Sequence, residues 1–88
     1  MPYISQELRD TCDSQIDLLV DVLKEEGFRP GIVTYVFYRI IREMFFNNGC
    51  YDTIADIRGI LTGTMDEFNR RLAHDYEDKK IKENGDVV

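Results

Sequence analysis

Residues 32–48 read IVTYVFYRIIREMFFNN, and this stretch decides the fold. Val33, Val36, Phe37, Ile40, Ile41 and Met44 recur at helical spacing. Tyr35, Tyr38, Phe45 and Phe46 spread the apolar surface almost all round. Only Thr34, Arg39, Arg42, Glu43 and Asn47 break it. A helix apolar on most sides needs neighbours on more than one side. In an 88-residue chain, part of that cover is expected from a second copy, with Tyr35, Tyr38, Phe45 and Phe46 shared between copies. Asn47-Asn48-Gly49 stops the helix. In front of it, Arg29-Pro30-Gly31 reads as a turn, with Pro fixing φ and Gly free to take positive φ.

Working back from that helix, Gly27 reads as the left-handed residue that ends an earlier one, and Phe28 as folding back to the core. The earlier helix is expected over 14–26 with Asp13 as its cap, because Ile16, Leu19, Val20 and Leu23 follow the i, i+3, i+4, i+7 rule. Leu18 and Val22 widen that face. Thr11, Cys12, Asp13 and Ser14 are weak helix formers, so Ser5 is expected to cap only a short separate turn. Residues 1–4 read as an extended start.

Working forward, a third helix begins near Tyr51 or Asp52. Ile54, Ile57, Leu61, Met65, Phe68 and Leu72 carry its stripe, and it runs past Arg70-Arg71 to Asp75 or beyond. Gly59 and Gly63 lie four apart, by tolerance or for close approach of another helix backbone. Glu77 is expected to face Lys80, and Asp78 to face Lys82. Asn84-Gly85 reads as a C-cap, with 84–88 a flexible tail. The chain is therefore read as one all-α domain over 1–88. It is a small helical bundle of three main helices with a short N-terminal turn or helix, the C-terminal helix being the longest.

The 17 acidic and 11 basic residues leave a formal charge of -6. That balance disfavours nucleic acid and an anionic membrane surface, both of which call for a basic face. Two cysteines are too few for a secreted disulfide scaffold, so Cys12 and Cys50 are read as buried free thiols. No signal core and no membrane-length apolar run is present, which points to a cytoplasmic setting.

No catalytic residue stands out, and no cofactor is implied. His74 is alone, and no cysteine or histidine spacing suggests zinc. Arg39 and Arg42, with Arg58 on the next helix, sit on otherwise apolar helices. Guanidinium forks suit phosphate and carboxylate, and Tyr35 and Tyr38 offer stacking faces. Together with Phe46 these make the candidate binding set for a small anionic ligand, against the plainer reading of snorkelling stems in an apolar surface. Asp13, Asp17, Asp21 and Glu25 form an i, i+4 acidic row, most simply a solvated face. Asp17 and Asp21 facing Asp52 and Asp56 would alternatively hold Mg²⁺. That arrangement is similar to the all-helical nucleoside-triphosphate pyrophosphatases, although those use i, i+3 acid pairs rich in glutamate. A third reading, acidic mimicry of DNA, needs carboxylates in rows on one continuous surface.

The two ends carry a resemblance. Met1-Pro2-Tyr3-Ile4 with Gln6 and Arg9, Arg29-Pro30-Gly31 with Tyr35-Val36, and Glu67-Phe68 with Arg70-Arg71 are its first parts. Tyr76-Glu77-Asp78-Lys79-Lys80-Ile81, then Glu83-Asn84-Gly85-Asp86-Val87, complete it. The whole resembles a set of small uncharacterised proteins encoded by bacteriophages and prophages. Their pattern departs from this chain at Val88, where it ends on an aromatic, and around Thr62 to Thr64. The resemblance implies a phage origin and a host-cytoplasmic setting; it supplies no activity. The expectation is a non-enzymatic, homo-oligomeric binding protein acting on a host protein or a small anionic ligand.

Overall fold

A computed structural model describes residues 3–88. The extended start expected at 1–4 therefore falls partly, at Met1 and Pro2, outside the described residues. Those residues form helices and no strands: α1 Gln6–Glu25, α2 Pro30–Asn47, α3 Tyr51–Phe68, a π-helical turn Asn69–Ala73, and α4 His74–Asn84. The π turn joins α3 to α4 without a break, so the C-terminal helical run is the longest, as expected. The chain divides into two units, 1–54 and 55–88.

In the first unit, α1 begins at Ser5, whose hydroxyl accepts from the Leu8 N–H at 3.2 Å. The helix then runs unbroken through Thr11, Cys12, Asp13 and Ser14, so Asp13 is not a cap. Each weak former costs at most about 0.7 kcal/mol against alanine. A stop and restart would orphan the backbone groups of two helix ends. Thr11 resolves its own competition by donating its hydroxyl to the Glu7 carbonyl one turn back, at 3.0 Å.

The end of α1 is a Schellman motif. Phe28 N–H donates to the Leu23 carbonyl at 2.8 Å, and Gly27 N–H to the Lys24 carbonyl at 3.0 Å. Gly27 takes φ 70°, the left-handed value its sequence position implied. Phe28 follows at φ 51°, strained for a bulky residue, and its ring is half exposed rather than folded into a core. Arg29 closes the corner with 2.8 Å to the Glu26 carboxylate.

Arg29-Pro30-Gly31 is not a free-standing turn. Pro30 is the first residue of α2, where its missing N–H costs nothing and its fixed φ suits the helix. Gly49 ends the α2–α3 corner under tight constraint, since a Cβ there would lie 3.2 Å from the Phe45 carbonyl oxygen. Among the described residues only Leu23 and Thr53 are buried, at 7% and 8% exposure. Helix α2 has no buried residue, so its own chain supplies little of the cover that its apolar surface calls for. Both cysteines are exposed, which corrects the expected buried thiols, and Cys50 Sγ lies 3.5 Å from the Thr53 hydroxyl.

The second unit consists of the rest of α3, the π turn and α4. The π turn is marked by the His74 N–H bonding the Asn69 carbonyl, five residues back. Glu67 and Arg71 pair across it. The charged C-terminal helix pairs Asp75 with Lys79 at 3.1 Å and Lys80 with Glu83 at 3.2 Å. Those pairs replace the expected Glu77–Lys80 and Asp78–Lys82. Gly85 caps α4 at φ 82°, its N–H donating to the Ile81 carbonyl at 2.8 Å. Nothing lies within 4 Å of a Cβ built at Gly59 or Gly63, so neither glycine admits a second backbone within this chain.

Candidate functional site

The candidate binding residues on α2 fall along one side of the helix. Tyr35, Arg39, Glu43 and Phe46, with Arg42 between them, follow steps of three and four, the spacing that brings side chains together on a helix. Arg39 Nη1 donates to the Tyr35 hydroxyl at 3.1 Å, and its guanidinium lies 6.0 Å from the Tyr35 ring centroid. Arg42 sits 6.0 Å from the Phe46 ring centroid. Glu43 approaches both cations, at 4.0 Å from Arg39 and 3.7 Å from Arg42. The row is thus a cation–aromatic ladder with one carboxylate in it.

Its electrostatics follow from those contacts. The hydrogen bond from Arg39, then its charge, holds the Tyr35 phenol below its usual 10.0, because both favour the phenolate. The same hydrogen bond raises Arg39 above its ordinary value. Arg42 Nε is shielded from solvent and finds no acceptor among the described residues. A shielded donor without a partner costs about 1–3 kcal/mol. An acceptor supplied by an anion or a partner chain would remove that cost.

Tyr38 is exposed on the same helix, one turn before Arg42. Arg58 belongs to the second unit, on an exposed position of α3. The acids of the alternative metal reading do not gather: among the described residues no three His, Cys, Asp or Glu are placed to hold an ion. Asp17 and Asp21 stand exposed on α1, and Asp52 and Asp56 exposed on α3.

A second feature was not singled out from the sequence. Phe68, Leu72, Ala73, Tyr76 and Glu77 line an open apolar hollow of about 500 Å³ on the second unit. Leu61 and Met65 continue its face toward the start of α3, both exposed. The stripe is legible in the sequence, but its openness is not. Nothing in a periodic pattern distinguishes an apolar face covered by its own chain from one left open.

No described helix is long and apolar enough to cross a membrane. No curated protein and no solved structure matches the chain. One family model does, described as a domain of unknown function (DUF6899), over residues 1–87, and the chain belongs to that family.

Proposed function

We propose that this DUF6899 member is a non-enzymatic helical binding protein that works as a homo-oligomer in the cytoplasm of a phage-infected host, engaging a host protein or a small anionic ligand. The observation that carries the reading is exposed apolar surface on both units. On the first, Phe46 is 71% exposed, and Leu18, Tyr35 and Tyr38 are also open; on the second, Phe68 and Leu72 are open. Exposed apolar surface on this scale marks an interaction surface.

A second copy is the natural cover, because it is present wherever the chain is made. A chain whose described core is Leu23 and Thr53 has little to hold it together while it waits for another partner. The ladder of Tyr35, Arg39, Arg42 and Phe46 on the first unit is the candidate surface for the anionic ligand. The Mg²⁺-dependent phosphohydrolase reading lacks a ligand cluster among the described residues. Acidic DNA mimicry is weakened by the cations at Arg29, Arg71, Lys79 and Lys80, each paired with a carboxylate.

Sedimentation equilibrium from low to high micromolar concentration tests the proposal. The expected mass is at least twice that of one chain. A single-chain mass throughout, with helicity intact, overturns it.

A further inference from the structure

The second unit is one helical run, and a helix is held mainly by the packing of its apolar face rather than by propensity. That face is Leu61, Met65, Phe68, Leu72 and Tyr76, all exposed. Steps of four, three, four and four make it a narrow continuous stripe. An unbroken α-helical series of fours would drift round the axis, and the wider π turn after Phe68 takes up part of that drift. The hollow lined by Phe68, Leu72 and Tyr76 is an opening on this stripe, sized for large side chains.

Resting on the self-association reading, and naming its partner and surface, we propose that this stripe is the seam of an antiparallel pairing between two copies of the chain, centred between Phe68 and Asn69. Two features favour that direction. The stripe is nearly palindromic about this centre: Leu61 comes level with Tyr76 of the other copy, and Met65 with Leu72. A self-complementary patch of this kind is what a two-fold interface requires. Charge points the same way. Parallel pairing in register would set every charge beside its own kind. The antiparallel arrangement brings Glu67 of each copy within one residue of level with Arg71 of the other, and the two residues share one flank of the stripe.

Disulfide trapping in the full chain, with Cys12→Ser and Cys50→Ser as background, tests the register. Phe68→Cys, beside the axis, is expected to cross-link to itself on mild oxidation. Leu61→Cys alone is expected to stay uncross-linked, but to trap efficiently when mixed with Tyr76→Cys. A second pair on one flank of the stripe, Glu67→Cys mixed with Arg71→Cys, removes no apolar side chain and is expected to trap likewise. Self-cross-linking of Leu61→Cys as readily as Phe68→Cys overturns the antiparallel direction. Dimers by sedimentation that trap at none of these positions overturn the seam and leave the association reading standing. A monomer by sedimentation removes both.

Discussion

Arg39 grips Tyr35 twice across one turn of α2, donating a 3.1 Å hydrogen bond to the phenol oxygen while its guanidinium stays 6.0 Å from the ring centroid. The contact fixes the direction of one titration. A spectrophotometric titration of tyrosine is expected to begin below 10.0, with Tyr35→Phe or Arg39→Leu removing that early component. Because the folded value is the lower one, the pair adds stability above the unfolded value, and that gain disappears as pH falls through the folded one. An unchanged early limb in both variants would contradict the assignment.

Glu67 provides the matching case at acid pH. The hydrogen bond from Arg71 holds its carboxyl below the usual range. The stabilisation is therefore complete above the unfolded value and fades as pH falls through the folded one. Glu67→Gln should flatten the acid limb of helicity against pH, read by circular dichroism. An acid limb identical to that of the native chain would show that the pair contributes nothing.

Helix α1 starts at Ser5, and two alanine substitutions check this. Ser5→Ala is expected to cost about 1 kcal/mol, the usual value of an N-cap oxygen. Asp13→Ala, inside the helix, should be neutral or slightly stabilising. Chemical denaturation that ranks them the other way would restore Asp13 as a cap.

The two corners of the first unit depend on glycine for different reasons. Gly27→Ala forces a side chain into φ 70° and is expected to destabilise by about 1 kcal/mol. Gly49→Ala places a Cβ 3.2 Å from the Phe45 carbonyl oxygen, a rigid neighbour, with an overpacking cost of about 1–3 kcal/mol. Thermal melts of both variants at one protein concentration measure the losses.

Gly59 and Gly63 should behave in the opposite sense. Both face open space within their own chain, so alanine should add roughly 1 kcal/mol of helix stability at each. Circular dichroism of Gly59→Ala/Gly63→Ala is expected to show a higher melting temperature. A lower one, with weakened association, would place a partner backbone against these glycines.

The sequence determined the elements of this protein. Period, caps and punctuation are local: the apolar repeat of α2, Gly27 past the end of α1 and Gly85 past the end of α4 are each set by residues within a turn or two. Two local misreadings have local causes. The weak formers at 11–14 looked like a break because propensity is counted residue by residue, whereas a helix end costs several backbone groups at once. Pro30 looked like a turn because proline is tolerated in both a turn and a first helical position. What only the tertiary structure decided is which apolar faces are covered. Periodicity states that a face avoids water and is silent on whether the cover comes from the same chain. Burial of Leu23 and Thr53, against exposure of Phe46, Phe68 and Leu72, depends on distances between segments far apart in sequence. The π turn between Phe68 and His74 was likewise invisible, because one extra residue in a helical turn leaves composition and capping signals unchanged.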